Sequence, residues 1–216
     1  MKVVMIHTSP VSLNDLKALC KEIIPSVELV NIIDDSLLEE VKTVGHINPQ
    51  IISRMCSYVQ VANTLKPDLI FNQCSSVGEA FDIAKQQACC KTLKIDEAMA
   101  EKAVELGERI GVVATVASTV SPSCNLVARK AQAAGKQVTV NRYLVDGALD
   151  ILMKGDVNRH NELVIKAIEK AESENDVVVL AQGSMTAILP LLKNPQKPVL
   201  TSPRLAIERV KKEFGL

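Results

Sequence analysis

Short, unbroken apolar runs alternate along this chain with longer stretches in which apolar residues return every three or four positions. The runs fall at residues 3–6, 27–33, 69–72, 110–114, 137–140 and 177–180. Each is rich in Val, Ile or Leu and continuous enough to predict a strand covered on both faces. The stretches between them carry helix signals. Ser12 precedes Leu13, Leu16 and Leu19, and that run stops at Pro25. Pro49 opens a segment that reaches Leu65. Asp96 is the expected N-cap of a helix that sets Met99 in the core and ends at Gly107, and Ser121-Pro122 opens another that ends at Gly135. A last helix runs from about residue 203 to 214. Strands separated by helices predict an α/β fold with mainly parallel sheets.

The pattern also repeats. Asp68-Leu-Ile-Phe-Asn-Gln-Cys74-Ser-Ser76 reads again as Asp176-Val-Val-Val-Leu-Ala-Gln182-Gly-Ser184, an offset of 108 residues (74 to 182). At the same spacing Lys2 to Thr8 lines up with residues 110–116. A duplicated chain of 216 residues splits naturally into two lobes of about 100 residues each. The expected division is residues 1–94 with 199–216 in the first α/β lobe, and 95–198 in the second. The lobes should be pseudo-symmetric, each a short, mainly parallel sheet flanked by helices, with a cleft between them. Ligands of open α/β sheets bind at the carboxyl ends of strands. The residues placed there are His7, Thr8 and Ser9; Asn72, Gln73, Cys74, Ser75 and Ser76; Thr115, Ser118 and Thr119; and Gln182, Gly183 and Ser184. They are small, rich in hydroxyls and followed by helix starts, which suits a small anion such as a carboxylate.

Charge and composition narrow the partner. The 25 basic and 25 acidic residues balance without a basic cluster, which excludes the electrostatic footprint of a nucleic-acid binder. No apolar run approaches the roughly 20 residues that span a bilayer. Neither GxGxxG nor GxxxxGK[ST] is present, and with no Trp and few aromatic residues the chain lacks a stacking surface for a flat cofactor. His46 and His160 have no metal-ligand spacing, so no metal is expected. The six cysteines show no CxxC spacing and the chain opens on a strand, which predicts reduced thiols and a cytoplasmic location. Cys20, Cys56 and Cys124 fall in helical patterns and read as core residues. Cys89-Cys90 reads as an ordinary strand edge beside Lys91, because adjacent cysteines seldom bridge.

Cys74 is different, because it stands at a strand end before a helix start. A free thiol titrates near about 8.5, and that position lowers the value, so a thiolate at neutral pH is the expected base. Removing a proton alpha to a carboxylate needs such a base, donors for the developing charge and little water. Ser75, Ser76, Ser118, Thr119 and Ser184 supply hydroxyl and backbone donors.

Motifs in order along nearly the whole chain extend this reading: Ile6-His-Thr-Ser-Pro10, Asn72-Gln-Cys-Ser-Ser-Val-Gly-Glu79, Ile95-Asp-Glu-Ala-Met99, Arg109-Ile-Gly-Val-Val-Ala-Thr115 with Ser118-Thr119 and Pro122, Val179-Leu-Ala-Gln-Gly-Ser-Met185, and Thr201-Ser-Pro-Arg204. In these the chain resembles the aspartate/glutamate/hydantoin racemase superfamily. The resemblance implies a cofactor-free enzyme of two α/β lobes, with a catalytic cysteine after the third strand of each. It implies a small carboxylate substrate and a homodimer or higher homo-oligomer. The chain departs from that pattern at Gln182, which stands where the second cysteine belongs and neither gives nor takes a proton at ordinary pH. Three readings follow. His7 or an ordered water acts on the second face and racemisation survives. Alternatively one thiol suffices, as in a decarboxylase or a cis–trans isomerase of a small carboxylic acid. In the third reading the chain only binds a small carboxylate, as a sensor would.

Overall fold

The computed structural model describes residues 1–216, and the chain divides into two compact units, Met1–Ile95 with Pro203–Leu216, and Asp96–Ser202. Each unit holds one four-stranded sheet. In the first, β1 (Lys2–His7), β2 (Glu28–Ile33), β3 (Leu69–Asn72) and β4 (Lys91–Lys94) lie in the order β2-β1-β3-β4, all parallel. The second has the same order with β5 (Arg109–Ala114), β6 (Thr139–Leu144), β7 (Val177–Leu180) and β8 (Val199–Thr201), arranged β6-β5-β7-β8 and again all parallel. Helices α1 (Leu13–Ile23), α2 (Leu37–Val44), α3 (Pro49–Thr64), α4 (Gly78–Ala84) and α9 (Ser202–Phe214) accompany the first sheet. The second has α5 (Glu97–Leu106), α6 (Ala117–Ala133), α7 (Ala148–Met153) and α8 (Val157–Glu174).

The unbroken apolar runs are explained by burial on both sides. Successive side chains of a strand point to opposite faces. Val3, Met5, Leu69 and Phe71 accordingly pack with Leu16 and Cys20 of α1 and with Ala206, Ile207 and Val210 of α9. Their neighbours Val4, Ile6 and Ile70 pack on the other face with Val41 of α2, Ile51 and Met55 of α3 and Phe81 of α4. The apolar stripe of α9 therefore places the C-terminal helix in the first unit. In the second unit Val113, Val178 and Leu180 pack against Val164, Ile168 and Ala171 of α8. No helix is long and apolar enough to cross a membrane.

Several elements differ from the sequence reading. β8, only three residues long, was not expected, and β4, with one large apolar residue, Leu93, was marked only by the strand edge read at Cys89-Cys90. Because β8 is hydrogen-bonded to β7, the second unit continues to Ser202 and the first resumes at Pro203 rather than 199. Helix α6 starts at Ala117 rather than at Ser121-Pro122, and Pro122 lies inside it. Its first turn closes through a Thr119 N–H bond to the Val116 carbonyl. Asp96 precedes α5 but its side chain makes no capping hydrogen bond. Gly135 adopts the left-handed conformation expected after a helix, with φ 66°. Gly107 does not: its backbone is extended, and a Cβ there would lie 2.5 Å from the Cβ of Asp176.

One polar device recurs in both units. The Asp68 carboxylate accepts from the backbone N–H of Lys2 at 2.7 Å, and the Asp176 carboxylate accepts from the backbone N–H of Arg109 at 2.9 Å. Each aspartate thereby fixes the start of its third strand against the start of its first. The two bonds span 66 and 67 residues, so Lys2 is the counterpart of Arg109, not of Ile110. The sequence alignment of the first strands is thus off by one, and Thr8 corresponds to Thr115.

Asp176 also predicts an acid response. A hydrogen bond from the Arg109 guanidinium, with backbone N–H bonds from Arg109 and Glu108, pulls its carboxyl from the ordinary 3.8 down to about 2. A carboxyl depressed in the folded state stabilises above its unfolded value, and that contribution is lost as pH falls through the folded one. The stability difference between the protein and Asp176→Asn is therefore expected to be full above about pH 4, and to vanish as the pH falls through about 2. Denaturant midpoints followed by circular dichroism across that window check it.

Candidate functional site

The residues singled out from sequence gather, within each unit, at the carboxyl ends of its two central strands. In the first unit β1 ends at His7 and leads into Thr8 and Ser9, while the adjacent β3 ends at Asn72 and leads into Gln73, Cys74 and a 3-10 turn, Ser75–Val77. Thr8, Ser75 and Ser76 are buried and Cys74 is half-buried. The Ser9 hydroxyl accepts from the Val11 N–H at 3.3 Å, closing its own turn. In the second unit Thr115 follows β5, Ser118 and Thr119 lie in the first turn of α6, and Gln182 precedes a 3-10 helix, Gly183–Leu191, that begins with Gly183 and Ser184.

Cys74 and Gln182 are counterparts in backbone as well as in sequence. Just before them, Gln73 N–H donates to the Ile6 carbonyl and Ala181 N–H donates to the Val113 carbonyl, extending the same ladder in each sheet. Cys74 has φ −121° and ψ 119°, and Gln182 has φ −113° and ψ 137°. Each residue then opens a 3-10 segment. Two units with the same strand order therefore present a thiol in one and a carboxamide in the other from the same backbone pose.

The carboxamide is already engaged. Gln182 Oε1 accepts from the backbone N–H of Thr115 at 3.1 Å. A backbone N–H can only donate, so this bond fixes which end of the amide is oxygen. The Nε2 group is then a buried donor with no protein acceptor, and Ser118 Oγ is likewise buried without a partner. A buried unpaired donor is costly by about 1–3 kcal/mol.

Asn72 holds the Cys74 segment from beneath, its Nδ2 donating to the Cys74 carbonyl at 2.9 Å. Its Oδ1 is buried without a partner. His7 is fully buried, with Nε2 2.9 Å from Asn31 Oδ1, an arrangement that puts the ring proton on Nε2. Burial lowers its pKa from 6.5, outweighing the hydrogen bonds to Asn31 and Gln73 that raise it, and Lys17 lowers it further. Neutral near pH 7 and tied to Asn31 on β2, His7 holds the neighbouring strands and is a poor proton donor to anything outside the core.

Sequence reasoning missed several residues at this edge. Asn31 interrupts the apolar run of β2, and a lone polar residue in such a run is itself a signal of a buried partner. Lys94 ends β4 in register with Asn72, and its ammonium is buried. Asp34, just after β2, gathers Arg54 and Tyr58 of α3. Arg54 also donates to Ser36 Oγ at 2.7 Å and Glu40 Oε2 at 2.5 Å. Burial works against ionisation of Asp34, but the hydrogen bonds from Tyr58, Ser36 and Arg54 prevail and hold its carboxyl below the ordinary value. The other thiols stay apart from this edge or serve packing. Cys20 and Cys124 are buried, burial pushes Cys20 up to about 11, and Cys90 Sγ donates to the Lys91 carbonyl at 3.3 Å. None of the six cysteines forms a disulfide.

Two parallel α/β units of the same strand order, each with a hydroxyl-rich carboxyl edge, define the fold class. The profile of the Asp/Glu/Hydantoin racemase family matches residues 14–210, and the chain belongs to that family. A putative Asp/Glu racemase from Yersinia pestis shares the fold with a TM-score of 0.77 and 11% identity over 100% of both chains. A glutamate racemase from Bacillus anthracis matches with a TM-score of 0.72 and 13% identity, over 99% of this chain and 81% of its own. An aspartate racemase homologue from Pyrococcus horikoshii matches with 0.72 and 16%, over 100% of this chain and 99% of its own. Likeness at these identities establishes the fold. No curated protein matches the sequence.

Proposed function

We propose that the chain is a cofactor-independent enzyme of the racemase and epimerase type that acts at the carbon alpha to a carboxylate, with Cys74 as its base and no second thiol. The substrate class is a small carboxylate or its cyclic derivative, such as aspartate, glutamate or a hydantoin, as the family and its named relatives suggest. The observation that carries the single-thiol part is the equivalence of Cys74 and Gln182, with the Gln182 carboxamide tied to Thr115. Gln182 in this reading gives a hydrogen bond and not a proton.

The chemistry follows from the residues. The Cys74 thiolate takes the alpha proton. The donors of Ser75 and Ser76, with those of Thr8 and Ser9, hold carboxylate oxygens as charge spreads onto them, and Thr115, Ser118, Thr119, Gly183 and Ser184 are the corresponding donors of the second unit. With a neutral His7 buried on Asn31 and an amide at the second position, the proton returns most readily from the thiol that removed it. That outcome is exchange with retention. The same one-thiol arrangement favours the second reading, a decarboxylase that protonates one face or an isomerase in which sulfur adds to a double bond. Racemisation here requires a water as the opposite acid.

Iodoacetamide labelling at pH 7, read by mass spectrometry, tests the site. Cys74 is expected to react faster than the exposed Cys89 and to be protected by one or more of aspartate, glutamate, hydantoin and malonate. A Cys74 that reacts no faster than Cys89 and gains protection from none of them contradicts the proposal.

A further inference from the structure

Lys94 is a buried cation in the half of the first unit that carries Cys74. Its side chain is 4% exposed, and its Nζ lies 2.8 Å from Asp82 Oδ2 of α4. Asp82 also pairs with Lys85 at 2.8 Å. An ammonium seldom leaves water unless the site holds it for a reason, because desolvation of a charge costs several kcal/mol before its partner offsets it. Three observations tie this charge to the Cys74 segment. Lys94 is the register partner of Asn72, whose side chain holds the Cys74 carbonyl. In-register residues of neighbouring parallel strands point to the same face, so both side chains lie on the α4 side. The Lys94 stem also lies against Gly78, first residue of α4 and one 3-10 turn beyond Cys74, with Cδ 3.7 Å and Nζ 3.9 Å from where a Gly78 Cβ would stand. Cys74 immediately precedes that turn, so the ammonium lies against the far end of the turn that the sulfur opens.

We propose that Lys94 is a positioning residue for Cys74: its ammonium, anchored by Asp82 under the Ser75–Gly78 turn, fixes that turn and supplies the positive charge that favours the thiolate. This rests on the reading of Cys74 as the base. Other charged groups around the turn are Glu79 on α4; Glu39, Glu40 and Lys42 on α2, which packs against the turn; and Arg54 on α3. Lys42 pairs with Glu39 and Arg54 with Glu40. His7 on β1 is held neutral by burial. Lys94 is the buried cation among these groups.

The test is the pH midpoint of Cys74 alkylation, followed by peptide mass spectrometry, in four forms of the full chain. Lys94→Met is expected to raise the midpoint, because a nearby positive charge favours the thiolate. Lys94→Arg keeps the charge and should restore the midpoint. Asp82→Asn removes the opposing charge and should lower it. The opposite signs of Lys94→Met and Asp82→Asn separate an electrostatic role from mere loosening of the turn, which would move both variants the same way. Asp82 is partly exposed, so Asp82→Asn gives a reading even if Lys94→Met unfolds. Midpoints that do not move in either variant, or that move in the same direction, overturn the inference. A wild-type Cys74 that shows neither enhanced reactivity nor ligand protection would instead overturn the reading beneath it.

Discussion

Replacing Cys74 with alanine is expected to lower turnover by about 10³-fold or more while leaving the fold intact, since a positioned general acid–base group contributes about 10²–10⁴. The sulfur is half-buried at the margin of the cluster formed by Val4, Ile6, Ile70, Val77 and Phe81, so its loss removes little packing. The strand end does not depend on it either. Gln73 N–H bonds to Ile6, and Asn72 bonds to the Cys74 carbonyl, which alanine keeps. Initial rates on any substrate found, paired with a thermal melt, check both halves. Near-normal turnover in a folded Cys74→Ala would remove the thiol from the mechanism.

The largest expected effect on stability belongs to a glycine outside the site. Gly107→Ala is expected to cost about 1–3 kcal/mol, the range of overpacking a closed position. The cause is not backbone conformation, since Gly107 is extended and any residue adopts that geometry. A Cβ at 107 would lie 2.5 Å from the Cβ of Asp176, and that side chain cannot turn away. Its carboxylate is fastened to the N–H groups of Glu108 and Arg109 and to the Arg109 guanidinium. Alanine must therefore push β7 away from β5 or break those bonds. The melting temperature should fall by about 2–4 °C for each kcal/mol lost in a chain of this size. Calorimetry of Gly107→Ala beside Gly135→Ala would separate the two kinds of glycine, because nothing lies within 4 Å of a Cβ at Gly135 and its only strain is the positive φ of 66°.

The central strands were legible because burial on both faces leaves unbroken apolar runs, and β1, β3, β5 and β7 are such runs. The edge strand β4 showed only as a strand edge at Cys89-Cys90, because Lys-Thr-Leu-Lys looks like surface. Its last lysine is buried and paired with Asp82, twelve residues earlier, and a pattern of polarity cannot see that partner. The one-residue error between the first strands has a related cause. A continuous apolar run carries no register mark of its own, and the Asp68 and Asp176 hydrogen bonds supply the mark. Pro122 misled because proline prefers a first helical turn, yet here it sits further into α6. The cluster of hydroxyls around Cys74 and Gln182 was visible, since strand ends in a repeat announce themselves. What the carboxamide does was not visible, because its bond to Thr115 joins residues 67 positions apart. The neutrality of His7 was hidden for a related reason, as it comes from burial by the packed fold, against which the hydrogen bond to Asn31 in a neighbouring strand works.

The stereochemical course of alpha-proton exchange tests the account most directly. The protein and its Cys74→Ala variant are incubated in deuterated water with small amino acids, hydantoins and malonates, and followed by proton NMR and chiral chromatography. Deuterium is expected to enter the alpha position of a carboxylate substrate with retention of configuration, and the variant is expected to lose this exchange. Exchange that persists in Cys74→Ala would contradict Cys74 as the base, and inversion at the rate of exchange would contradict a site with a single proton-transferring thiol.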